Sequence, residues 1–315
     1  MRVEILRLLD NNGFVSGEYI AEHLGVSRTA VWKQIKSLQN MGYEIESIKS
    51  KGYRLASRPD IPIAEEVTLE LDTKVIGKTF YYFKSLSSTN LFAKKLVKDG
   101  VEEGAIVVSD IQLSGRGRKS RNWFSPEGGL WFSVVLYPHI PPERGMLLTM
   151  AISFAIVQGI KEITGLNPVI KWPNDLLIND KKVCGILTEL DAEMDRINYT
   201  IVGIGINVNN KLNEDLHGKA TSLIQETGFN ISRVKLLRSI LKFVDENYSR
   251  LVSGDYVFIR DSWFSLTNIV GREIIVHGEK TTLKGVVSSV DEGGCLMLDT
   301  KNGIVRVVSG DVEYL

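Results

Sequence analysis

The chain has 315 residues, of which 43% are hydrophobic and 24% charged, and its 38 Lys and Arg balance 38 Asp and Glu. That length holds two or three domains with at least one sizeable core, and that balance excludes both a disordered chain and a uniformly basic or acidic one. Two cysteines, four histidines and no CxxC pair exclude a disulfide framework and a finger-type zinc site, and they predict a reducing, cytoplasmic setting.

The opening residues, with Glu4 and Asp10, do not read as a secretory signal, and no stretch reads as the roughly 20 apolar residues of a membrane span. Over residues 1–60 the pattern predicts helices followed by a short strand-turn-strand. Ser16 and Ser27 are placed to cap two helices, and Gly25 permits the turn between them. Ile20 and Leu24 line the inner face of the first helix; Val31, Ile35 and Leu38, at helical spacing, line the second. That spacing leaves Arg28, Thr29, Lys33 and Lys36 toward solvent, beside Ser27, where a recognition helix meets the major groove. Lys49, Lys51, Arg54 and Arg58 follow on a wing, so residues 1–58 carry nine Lys and Arg against six Asp and Glu. Capping, turn glycine and charge segregation together read as a winged helix-turn-helix DNA-binding domain. A short match of this kind also suits a helical protein-interaction module with a solvated basic face.

After the linker Ser57–Pro62, residues 64–268 mix helical and strand patterns as one α+β domain. Predicted strands are 105–109, 130–137, 169–172, 175–178, 183–190 and 199–208, with a tight hairpin at Asn179-Asp180; predicted helices are 89–99, 144–163 and 233–251. Short strands separated by glycine turns over residues 270–315 predict a small β-barrel.

Four segments of the middle region carry chemistry. Ser87-Ser88-Thr89-Asn90 stands before a helix and reads, alone, as a cap. In the run from Gln112 to Gly129, four basic residues (Arg116, Arg118, Lys119 and Arg121) fall within six positions among Gly115 and Gly117, and Trp123 closes the run. Glycine lets backbone N–H groups approach an anion and arginine grips phosphate with two bonds, so this is a loop expected to be mobile until a polyanion orders it. It matches neither a Walker A loop nor a dinucleotide fingerprint. Lys171-Trp172-Pro173-Asn174-Asp175 is a rigid corner that holds Asn174 and Asp175, and Lys182 follows the next tight turn ahead of Gly185. Gly203 and Gly205, inside the strand that ends in Asn207-Val208-Asn209, mark close approach of backbone or ligand.

These four elements, in this order behind a winged helix, resemble the bifunctional biotin–protein ligase and biotin-operon repressor family over essentially the whole chain. The resemblance implies a central domain similar to class II synthetases and lipoate ligases, and an SH3-like C-terminal barrel. It implies an ATP- and Mg²⁺-dependent, AMP-forming enzyme that makes biotinyl-5'-AMP and passes biotin to a lysine of a carboxylase carrier domain. The adenylate would also promote a homodimer that represses biotin genes at operator DNA. By the same resemblance Ser88, Thr89, Asn90, Gln112, Gly115, Gly117 and Gly185 hold biotin together with Arg116, Arg118 and Lys182, and those three charged residues also manage the reacting carboxylate and phosphate. Arg118, Arg121, Trp123, Asn174 and Asn207 fall to the nucleotide, and Ser27, Arg28, Thr29, Lys33, Lys36 and Lys51 to DNA. Which residues would meet the metal is left open. A lipoate-type acyl ligase and a non-catalytic biotin or nucleotide sensor stand as rival readings of the middle domain.

Overall fold

The computed structural model describes residues 1–10, 13–278 and 281–315, which divide into two compact units, Met1–Glu70 and Leu71–Leu315. In the first unit come helices α1 (Arg2–Leu9), α2 (Gly17–Leu24) and α3 (Arg28–Asn40), then strands β1 (Glu44–Ile48) and β2 (Gly52–Ser57) and a short α4 (Ala64–Val67). Ser16 Oγ accepts from Tyr19 N–H and Ser27 Oγ from Ala30 N–H, so both serines cap as their positions predict. Gly25 is left-handed at φ 63°. Gly52, at φ 99°, is fixed more tightly, because a Cβ there would lie 2.1 Å from the Val15 carbonyl oxygen. Ile5, Leu6, Leu9, Ile20, Val31, Ile35 and Leu38 form a core of the unit's own. The inner face of α2 is Ile20 with Ala21, while Leu24 is only half-buried.

The two compact units do not coincide with the expected domain limits. The first unit runs to Glu70 rather than residue 60, because Arg58 bonds both Asp10 and Glu66, Arg2 pairs with Glu65, and Val67 and Leu69 are buried. Arg58 is therefore a structural residue and adds nothing to the wing. Residues 71–315 cluster as one body, which holds the C-terminal strands together with the middle region.

That second unit contains β3 (Phe80–Leu86), α5 (Thr89–Lys98), β4 (Ile106–Gln112), β5 (Leu130–Leu136), α6 (Gly145–Thr164), β6 (Val169–Lys171), β7 (Asp175–Ile178), β8 (Lys181–Ala192) and β9 (Ile197–Ile206). There follow α7 (Leu223–Thr227), α8 (Arg233–Val252), α9 (Tyr256–Phe264), β10 (Glu273–His277), β11 (Thr282–Val290), β12 (Leu296–Thr300), β13 (Gly303–Val307) and β14 (Asp311–Tyr314). The seven-stranded sheet has the order β3-β4-β5-β9-β8-β7-β6, antiparallel except for β3 beside β4. The C-terminal strands form a five-stranded antiparallel sheet, β13-β12-β11-β10-β14. Asn179 and Asp180 take φ of 50° and 60°, the two left-handed residues that a tight β7–β8 hairpin demands. β3 and α9 went unpredicted; β3 is a half-buried strand whose aromatic run lacks clean alternation.

Strand alternation puts Ile201 and Thr200 on opposite faces, and it places function on one of them. On the Ile201 face, α5 packs over Ala93, Ala105, Val107 and Val135. On the other face, α6 reaches the sheet through the Thr149–Thr188 hydroxyl contact, and Ile240 of α8 crosses it at Gly159. The stretch Pro142–Thr164 is apolar enough for a membrane span, at mean hydropathy 1.5, contrary to expectation. It is two-thirds buried between sheet, α8 and α9, which marks it as a core helix.

Candidate active site

On the α5 face, a cavity of about 860 Å³ opens where β4, β8, β9, the arginine loop and β14 meet. Its walls include Ser88, Thr89, Asn90, Gln112, Gly115, Arg116, Gly117, Arg118, Arg121, Trp123, Asn174, Lys182, Gly185 and Asn207, so every residue expected to hold biotin or nucleotide meets in one place. A volume of that size is ordinary for a small-molecule site.

The floor is a polar network. Thr89 N–H donates to Gln112 Oε1 (2.9 Å), Gln112 Nε2 to Ser125 Oγ (2.9 Å), and Ser125 Oγ to the Trp123 carbonyl (3.1 Å). Ser88 occupies the N-cap position of α5, but its side chain does not bond the helix; it borders the cavity instead. Asn90 is held at both ends, by Glu189 and Ser133, and it lies over β9 only because residue 203 is glycine: a Cβ there would sit 2.3 Å from Asn90 Oδ1.

Glycines place the aromatic wall in the same way. Gly185 and Gly205 are register partners, and the Trp123 indole lies across both, since a Cβ at 205 would meet its Nε1 at 2.4 Å. That indole N–H is buried without a protein acceptor, which leaves a donor for a ligand oxygen or a water. Lys182 Nζ stands 5.1 Å above the ring and 2.6 Å from Asp175 Oδ1.

The arginine loop is tied down. Arg118 donates to Asn174 Oδ1 (2.9 Å) and the Gly310 carbonyl (3.3 Å), while Asn174 Nδ2 donates to the Ile186 carbonyl, so the Trp-Pro corner serves as its anchor. Burial pulls the Arg118 guanidinium below its ordinary range, against the opposing charges of Asp311 and Asp175, yet an arginine stays cationic at any physiological pH. Lys119 and Arg121 both reach the Asp311 carboxylate, at 3.2 and 2.5 Å. Mutual repulsion, which predicts a loop that waits for a polyanion, is thus offset by one carboxylate of the C-terminal sheet. Burial alone would raise the Asp311 carboxyl, but its bonds to Lys119 and Arg121 hold it below the usual carboxylate range. Lys119 and Ser120, at φ 53° and 58°, mark the tight bend.

Asp311 and the segment 212–220, whose Asp215 and Lys219 border the cavity, carry no local motif and escape sequence reasoning. Their place follows from long-range pairing: Lys182 N–H donates to the Lys219 carbonyl, and Thr221 N–H to the Lys182 carbonyl. Cys184 is fully buried and its thiol is pushed up by that burial, so it is no nucleophile. Among the described residues, no group of three or more His, Cys, Asp or Glu is placed to hold a metal.

In the first unit Ser27, Arg28, Thr29, Lys33, Lys36 and Lys51 are exposed. Arg54 instead forks onto Glu46 and stacks on Phe14.

A cavity with a hydrogen-bonding floor and a cationic rim suits the binding and activation of an acid, and residues 82–207 match the biotin/lipoate A/B protein ligase family while residues 2–54 match a helix-turn-helix domain. The bifunctional ligase/repressor BirA of Bacillus subtilis is 40% identical, across 99% of this chain and 98% of its own. That of Escherichia coli K12 is 27% identical across 96% and 94%. The biotin protein ligase of Aquifex aeolicus, solved with biotin and ATP, superposes at a TM-score of 0.66 with 32% identity, over 76% of this chain and 99% of that one. The chain belongs to the family of bifunctional biotin ligase/repressors.

Proposed function

We propose that this protein joins biotin and ATP into biotinyl-5'-AMP, transfers the biotin to a lysine of a carboxylase carrier domain, and represses biotin genes through its helix-turn-helix unit. The observation that carries this is the meeting of Thr89 and Gln112 with Arg116, Arg118 and Lys182 in one cavity: a neutral, donor-and-acceptor floor for a ureido head beneath cations for a carboxylate and a phosphate.

In the first half-reaction a carboxylate oxygen of biotin attacks the α-phosphorus, the bond to the bridging oxygen breaks, and pyrophosphate leaves. Two anions have to approach, so Arg116, Arg118 and Lys182 lower the barrier by fixed positive charge rather than by proton transfer. Lys182 is held ready against Asp175, and Arg118 against Asn174. Arg121, Trp123, Asn174 and Asn207 border the nucleotide, and Ser88, Asn90, Gly115, Gly117 and Gly185 shape the biotin end. In the second half-reaction the carrier amine attacks the acyl carbon, the C–O bond to phosphate breaks, AMP leaves and the nitrogen sheds a proton. The loop keeps water from the mixed anhydride meanwhile.

Mg²⁺ enters with the ATP phosphates: Asp175 and Asp311 are each committed to a cation, which suits a metal carried by phosphate and water rather than by a protein cage. The reading keeps the protein in the cytoplasm, where its substrates and carrier are. Its adenylate-bound form dimerises, and the two basic helices then meet two operator half-sites through Arg28, Thr29, Lys33 and Lys36, with Ser27 and Lys51 beside them.

Biotin-dependent ATP–pyrophosphate exchange tests the first step. Wild type is expected to exchange, and Lys182→Ala and Arg118→Gly to lose on the order of 10²–10³-fold in rate. A folded protein that binds biotin but never exchanges is a sensor, and this reading is then lost.

A further inference from the structure

A chain of side-chain hydrogen bonds runs from the protein surface to the cavity floor, and its polarity is fixed at one end. Glu189 on β8 is gripped by Lys94 through one oxygen (2.6 Å) and receives Asn90 Nδ2 through the other (2.7 Å). A carboxylate only accepts, so the Asn90 amide cannot turn over, and Oδ1 is the end left for Ser133. Ser133 Oγ lies 2.6 Å from that oxygen and 2.7 Å from Thr89 Oγ1. Its single proton goes to the amide oxygen, which has none to give. The Thr89 contact is then completed by the threonine's own proton. The other neighbour of Thr89 Oγ1, Gln112 Oε1 at 3.2 Å, is likewise only an acceptor. Either way the Thr89 proton is spent on the protein, and what the hydroxyl shows to the cavity is a lone pair.

We propose that Glu189, acting through Asn90 and Ser133, holds Thr89 as a hydrogen-bond acceptor and so selects a ligand head that presents an N–H there. Glu189 and Ser133 are positioning and specificity residues that touch no substrate. Asn90, expected to bind substrate, is the link between them. The burial of Ser133, Thr89 and Asn90 (0, 3 and 3% exposed) gives the relay its force, because a mismatched polar pair out of reach of water stays unpaired. The inference rests on the reading that Thr89 faces the ureido head of biotin. It adds a reason for choosing a cyclic urea over an isosteric ring of opposite polarity.

The test compares biotin with its two cyclic carbamate analogues, in which one or the other ring N–H is replaced by oxygen, by calorimetric binding to full-length protein. Wild type is expected to bind one regioisomer on the order of 10²-fold more weakly than biotin, because an acceptor then faces an acceptor. Glu189→Gln lets the Asn90 amide reverse, and Ser133→Ala removes the nearer of the two acceptors for the Thr89 proton, leaving only Gln112 Oε1 at 3.2 Å. The penalty in at least one of these variants is expected to fall to about tenfold or less, while a residue that merely supports the fold would weaken all three ligands in parallel. An unchanged biotin-to-carbamate ratio in both variants overturns the proposal. Failure of wild type to bind biotin at all overturns the ligand reading itself, and the relay with it.

Discussion

At the scale of single residues, this site is shaped as much by missing side chains as by present ones. Gly203 and Gly205 stand on one face of β9, and each leaves the room that a larger neighbour fills: Asn90 over the first, Trp123 over the second. Glycine costs a strand interior some stability, so its use twice in three residues has to serve something else. Gly205→Ala tests this. Its Cβ would force the indole away from β8 and β9. Because misplacing a group by about 1 Å can cost on the order of 10²-fold, pyrophosphate exchange is expected to fall by about that factor while circular dichroism shows an intact fold. Unchanged exchange would mean that Trp123 has no part in the site.

At the scale of elements, the loop and strand β14 are joined by one carboxylate. Asp311 receives Lys119 and Arg121, which relieves the repulsion among four cations with no anion bound. Its carboxyl is held below its ordinary range, so the tie is fully formed above the unfolded carboxylate pKa and is lost as pH falls through the lower, folded one. At neutral pH the wild-type loop is therefore expected to be protected in hydrogen exchange, and Asp311→Asn to remove that protection around residues 116–121. In wild type the same loss should appear only below about pH 4. Equal protection of loop amides in both proteins at pH 7 would show that Asp311 does not hold the loop. The loop was legible in the sequence as basic and glycine-rich. Its partner was not, because a lone aspartate 190 residues from Arg121 has no local signature.

At the scale of the molecule, residues 1–70 have their own core, two capped helices and their own ion pairs. That unit is expected to fold as a fragment and to bind DNA with strong salt dependence, since its exposed charge meets phosphate. Lacking the arginine loop, it should not respond to biotinyl-5'-AMP. In the full chain the adenylate is expected to drive dimerisation and, with it, tighter binding to a two-half-site operator. Sedimentation and DNA binding of both proteins, with and without adenylate, measure this. Dimerisation equally strong in both conditions would remove the co-repressor role.

Local chemistry determined much of this protein by itself. Caps at Ser16 and Ser27, the left-handed turn at Asn179-Asp180, the periodic face of α3 and the four motifs all rest on neighbours a few residues apart, where steric and hydrogen-bonding rules act directly. Only the tertiary structure decided what those pieces face. It turned Ser88 from a cap into a cavity wall and Arg54 and Arg58 from wing charge into ion pairs with Glu46, Asp10 and Glu66, and it bonded Asn90 to Glu189 and Ser133. It brought Asp311 and Glu189 to their cations as well. Glu189 lies 99 residues from Asn90 and Asp311 190 from Arg121, and a side chain's charge says nothing of which partner folding will bring close.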